Sequence, residues 1–79
     1  MTDKTVRLSD LPVGYMGTVC NLPEDIVLKN KLISFGIING TEIYSAFRSF
    51  GGSTTAYLFR GTLLSIRKSY ADRIIIQFG

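Results

Sequence analysis

The chain contains no histidine and a single cysteine, Cys20. Without imidazole it lacks the commonest general base near neutral pH and the commonest transition-metal ligand. One thiol cannot close an internal disulfide or build a zinc or iron–sulfur centre, so the fold needs no oxidising compartment. Cys20 sits in an apolar stretch and reads as a small buried hydrophobe. Carboxylates are few: Asp3, Asp10, Glu24, Asp25, Glu42 and Asp72. Only Glu24 and Asp25 adjoin, and adjacent residues on a helix do not face each other. They read as partners of a helix dipole in its first turn, not as an acid/base pair. No phosphate loop or dinucleotide fingerprint occurs, because the glycines do not open a helix after a strand. No apolar run approaches the ~20 residues of a spanning helix. Met1 to Asp10 is polar and lacks the apolar core of a signal peptide, so a cytoplasmic protein is expected. An enzyme is not expected, nor a cofactor.

What remains is the material of one small folded domain. Seventy-nine residues suffice for a single unit spanning 1–79, and 46% hydrophobic residues, with five Phe and four Tyr, supply its core. The net charge is +3, from nine basic against six acidic residues. The basic residues are dispersed, with only Arg67 and Lys68 adjacent. A dispersed excess of this size reads as solubility rather than as a nucleic-acid footprint.

Turn signals divide the chain into short strands. Pro12 and Gly14 bracket a first connection. Tyr15 to Leu22 is rich in strand formers and closed by Pro23, and Gly17 within it marks a bulge or a close backbone approach. Glu24 to Phe35 reads as a helix with Leu28, Leu32 and Phe35 on one face and Lys29, Asn30 and Ser34 on the other. Gly36 is its left-handed stop, with Ile37 making the accompanying apolar contact. Asn39-Gly40 is a tight turn. Thr41 to Phe50 is a strand in which parity separates Ile43 and Phe47 from Glu42, Tyr44 and Arg48. Gly51-Gly52-Ser53 forms a hairpin tip, Thr54 to Arg60 returns, and Gly61 marks a turn or bulge before Thr62 to Arg67. Ser69 to Asp72 has capping-box spacing suited to one helical turn. Arg73 to Phe78 is a last strand. Five strands and one inserted helix predict a mainly β fold, a small SH3-like barrel whose closure removes free edges. An OB-type barrel is the alternative.

Three collinear blocks resemble the FeoA family of small proteins of bacterial ferrous iron transport. Leu8-Ser9-Asp10-Leu11-Pro12-Val13-Gly14 is similar to the family's L-x-x-L-x-x-G opening. Lys31 to Ile43 follows its R-L-x-x-x-G-x-x-x-G-x-x-V stretch, with Lys31 in the Arg position. Arg60 to Ile74 resembles its closing G-x-x-x-x-L-R-x-x-x-A-x-x-I. Within these blocks Leu32, Gly36, Gly40, Ile43, Ile66 and Ala71 read as core and corner positions. The resemblance implies an SH3-like barrel that assists FeoB, a membrane protein with a cytosolic GTP-binding domain. It implies contact with that partner rather than catalysis; with few carboxylates and no imidazole, iron binding by the chain itself is not expected.

Three regions are candidate contact sites: the helix face with Lys29, Asn30 and Ser34; the hairpin tip with Phe50, Gly51 and Gly52; and the corner at Arg60 and Gly61. A second function class is a free-standing barrel that binds nucleic acid or mediates homo-oligomer assembly. Tyr44, Phe47, Phe50, Tyr57 and Phe59, with Arg48 and Arg60 near, would form its stacking surface.

Overall fold

A computed structural model describes residues 4–78 of the chain; Asp3 lies outside them. The elements in chain order are β1 (Lys4–Arg7), a 3-10 turn (Leu8–Asp10), β2 (Met16–Asn21), α1 (Ile26–Ser34), β3 (Glu42–Arg48), β4 (Thr54–Phe59), β5 (Thr62–Arg67), α2 (Lys68–Ala71) and β6 (Ile75–Phe78). Six antiparallel strands form one sheet in the order β1-β6-β2-β3-β4-β5. The SH3-like barrel expected from the sequence is present, with one strand more than the five expected. The extra strand is β1, whose polar, mostly exposed residues pair with β6 from Lys4↔Phe78 to Arg7↔Ile75. Its backbone ladder holds it there, with Val6 alone packed against the core. Closure is the second difference. Among the described residues no ladder joins β1 to β5, so both remain edge strands.

The sheet coils around a single cluster. Val19, Ile43, Tyr57, Phe59, Ile66 and Ile76 enter from the strands, Leu28 and Leu32 from α1, and Leu8 and Leu11 from the loop after β1. Tyr57 reaches the carbonyl of Leu8 with its hydroxyl at 3.3 Å. Burial there pushes the phenol's pKa up. Gly17 permits close approach of β2 and β6: a Cβ at that position would lie 2.6 Å from Ile76 Cδ1 and 3.2 Å from the carbonyl oxygen of Gln77.

The helix ends are set locally. The Asp25 carboxylate accepts from the amides of Val27 (3.0 Å) and Leu28 (3.4 Å), so it caps α1. The expected first-turn role of Glu24 and Asp25 is thus corrected: both precede the helix, which begins at Ile26. At the other end Gly36 has φ +98°, its amide bonds the carbonyl of Ile33 at 2.9 Å, and that of Ile37 bonds Leu32 at 3.0 Å. This is the Schellman arrangement, with Ile37 and Leu32 both in the core. Phe35, expected on the buried face, is exposed because the chain is already leaving the helix there. The capping-box spacing at Ser69 is not used either. Arg67 is the N-cap of α2 and makes no side-chain cap bond. Asp72 instead accepts from the Ser9 hydroxyl and from Lys68 Nζ (3.3 Å), which ties α2 to the 3-10 turn.

Two bulges alter the side-chain pattern. In β2 the pairing steps from Val19↔Ile76 to Asn21↔Ile75, leaving Cys20 as the extra residue. Its thiol is only half-buried, 3.5 Å from the carbonyl oxygen of Ile75. In β3 the pairing steps from Ser45↔Tyr57 to Phe47↔Ala56, and Ala46 is the extra residue. That bulge reverses the parity of all that follows. Phe47, assigned by parity to the same face as Ile43, therefore points outward and is 56% exposed.

Candidate functional site

The register places one residue from each of four strands in a single row. Met16 pairs with Tyr44, Tyr44 with Leu58, and Leu58 with Leu63. All four lie on the outer face, opposite to Ile43, Tyr57 and Phe59, because side chains alternate along a strand. At ~4.8 Å per strand the row is roughly 14 Å wide. Met16 is 54% exposed, Leu58 41% and Leu63 55%, while Tyr44 is half-buried. A second row beside it is Phe47, Ala56 and Ser65. Isolated exposed apolar residues are ordinary, but a row in register across four strands is a contiguous patch.

One end of this patch is polar. Met16, Tyr44 and Leu58 floor a shallow depression of about 730 Å³, whose edge carries Thr18, Glu42 and Arg60. Arg60 and Gly61 connect β4 to β5 as a two-residue turn, since Phe59 pairs directly with Thr62. Both have positive φ, +51° and +77°. This is the pattern of a type I′ hairpin turn, a site that favours Asn or Gly at its first position. Arg60 is the only non-glycine residue with positive φ among the described residues. Its left-handed backbone costs about 1–2 kcal/mol relative to an extended conformation.

The other candidate residues fall elsewhere. Phe50, Gly51 and Gly52 cap the β3–β4 hairpin at the opposite end of the same strands, closed by Ser49, whose carbonyl accepts from Gly52 (2.9 Å) and whose hydroxyl accepts from Thr54 (3.1 Å). Phe50 is fully exposed. Lys29 and Asn30 are exposed on α1, and the Ser34 hydroxyl donates to the carbonyl of Lys31 at 2.6 Å, finishing the helix. The three regions thus do not form one site. The outer patch lies between the hairpin tip and the Arg60 turn and leaves the helix face apart. Sequence reasoning missed Met16, Leu58 and Leu63, because each strand taken alone merely alternates; only register aligns them.

The base-stacking surface does not assemble. Tyr57 and Phe59 are buried in the core. The Arg48 guanidinium donates to the carbonyls of Ser9 and Leu11, both at 3.2 Å, and fastens the hairpin to the first loop. Among the described residues no three His, Cys, Asp or Glu side chains gather where a metal could bind, and no helix is long and apolar enough to cross a membrane.

The FeoA domain profile matches residues 6–77, nearly the whole chain. The chain belongs to the FeoA family. Solved structures agree with this assignment. The FeoA-like protein of Clostridium acetobutylicum is 31% identical, with a TM-score of 0.87 over 99% of this chain and 90% of that one. A crystal structure of an iron uptake regulatory protein, FeoA, is 26% identical, with a TM-score of 0.80 over 94% and 96%. FeoA of Stenotrophomonas maltophilia, solved with zinc and described as an SH3-domain protein and candidate activating factor of ferrous iron transport, is 22% identical. Its TM-score of 0.77, over 87% of this chain and 86% of that one, speaks to the fold. No curated protein sequence matches this chain.

Proposed function

We propose that this FeoA-family protein is a cytoplasmic accessory factor of bacterial ferrous iron uptake. In this reading it binds the cytosolic part of a FeoB-type GTPase transporter through the outer face of β2–β5 and works without chemistry of its own. The observation that carries the reading is the in-register row Met16–Tyr44–Leu58–Leu63, an apolar patch of which Met16, Leu58 and Leu63 are exposed. Apolar and aromatic side chains at the centre of a patch with polar residues at its rim are the usual composition of a protein contact. Arg60 supports it as well, being held at that rim in a conformation that stability alone disfavours.

The test is co-purification of the full chain with FeoB of the same organism, together with GTP hydrolysis by FeoB in its presence and absence. Co-purification that depends on Leu58 and Leu63 is the expected result. If FeoB neither retains the protein nor changes its hydrolysis rate, the reading fails. Sedimentation of the protein alone separates this from homo-oligomer assembly, which would bury the same patch in a concentration-dependent dimer.

A further inference from the structure

β5 is the last strand of the sheet, so one of its edges is unpaired among the described residues. In a two-residue hairpin the pair beside the turn, here Phe59 and Thr62, exchanges both backbone bonds. The alternation that follows leaves Leu63, Ser65 and Arg67 with N–H and C=O directed at the free edge. Natural edges of this length are usually blunted by proline, bulges or a covering element. β5 has neither proline nor bulge.

Beside this edge runs α1, and between them opens a cleft of about 230 Å³. Leu28, Leu32 and Phe35 form one wall, Leu64 and Ile66 the other, and Tyr70 of α2 closes one side. Phe35 and Tyr70 are exposed. Lys31 and Arg67 also line the cleft, and no carboxylate does. Among the described residues neither cation has an ion-pair partner, whereas Arg7, Lys68 and Arg73 are each paired with aspartate.

We propose that this cleft docks an extended acidic segment of a partner protein, which adds to β5 as a further strand, seats an apolar side chain between α1 and β5, and brings carboxylates to Lys31 and Arg67. Strand addition satisfies the three outward-facing backbone positions, and its two-residue period directs alternate side chains into the cleft. The charge of the lining selects acid over base. The cleft lies on the α1 side of β5 and meets the outer row only along β5 itself, at Leu63 and Ser65, so the inference does not depend on FeoB being the partner.

The experiment titrates isotopically labelled full chain with a capped eight-residue peptide alternating glutamate with leucine and phenylalanine, and with the same peptide carrying lysine for glutamate. The acidic peptide should shift the amides of Leu63, Ser65, Arg67 and α1 and slow hydrogen exchange at those three β5 amides. It should bind at least tenfold tighter than the lysine peptide and lose affinity as salt rises. Ser65→Pro removes an outward N–H at an edge position where proline is tolerated, and should weaken binding tenfold or more. The double variant Lys31→Glu with Arg67→Glu should do the same without touching the backbone. No binding at millimolar peptide, equal binding of the two peptides, or shifts centred on Met16 and Leu58 would each overturn the proposal. So would a dimer of the free chain that protects the β5 amides, since a second copy would then own the cleft.

Discussion

Strands β2 to β5 carry apolar side chains on both faces. Inward, Val19, Ile43, Tyr57, Phe59 and Ile66 are almost wholly removed from water. Outward, Met16, Tyr44, Leu58 and Leu63 stand in register, and among the described residues no helix or strand lies over them. The backbone and the residue types are nearly the same on the two faces; coverage is what differs. Burial of the inner face stabilises the fold by about 1.5–3 kcal/mol per large side chain. The outer face contributes less, because Met16, Leu58 and Leu63 keep about half of their surface in water. Burial in the fold accounts for the inner row; the outer row is the surface proposed above for a partner.

Removing volume from each face in turn separates their roles. Ile43→Ala should cost about 2–5 kcal/mol, read as a lower urea midpoint, because Ile43 is fully buried and its neighbours relax only partly into the space left. An effect below 1 kcal/mol would mean that the inner face is looser than its burial implies. Leu58→Ser with Leu63→Ser, which removes a half-exposed cross-strand pair, should cost clearly less, about 1 kcal/mol per substitution. The same pair should weaken capture by FeoB at least tenfold. A stability loss comparable to that of Ile43→Ala would erase the distinction between the faces.

Arg60 tests the rim of the outer face. Asparagine tolerates the left-handed region, so Arg60→Asn should raise stability by up to about 1 kcal/mol. If the guanidinium contacts the partner, this better-folded variant binds FeoB more weakly. A variant that is both more stable and equally tight would remove Arg60 from the contact surface.

The smallest effect belongs to Asp72, which serves neither face. The Ser9 hydroxyl that donates to it holds its carboxyl below the ordinary value of 3.8, with help from Lys68 and Arg7. Its contribution to stability is complete above that ordinary value and is lost as pH falls through the depressed folded value. Asp72→Asn should therefore flatten the acid limb of a stability–pH curve below about pH 4 and leave its shape near neutrality unchanged. An unchanged acid limb would show that the link between α2 and the 3-10 turn does not titrate.

Much of the fold was legible in the sequence because it rests on local constraints. Gly36 and Gly40 stand at positive φ where a stop and a turn were expected, and Leu32, Ile43, Ile66 and Ala71 are buried as the motif suggested. What was not legible depends on partners distant in the chain. Strand β1 exists through its ladder with β6. The bulge at Ala46 breaks the period that would have placed Phe47 inside. Of the candidate site, Arg60 and Gly61 were visible as a corner, although their two-residue turn was not. Met16, Leu58 and Leu63 were invisible, since a row across strands is written in the register and not in any one segment.

Titration of methyl-labelled full chain with FeoB in nanodiscs shows whether the outer face of β2–β5 meets the partner. If it does, the methyl signals of Met16, Leu58 and Leu63 shift or broaden while those of Val27 and Ile33 on α1 stay in place. Unmoved outer-face methyls in a titration that perturbs α1, or no perturbation at all, would contradict it.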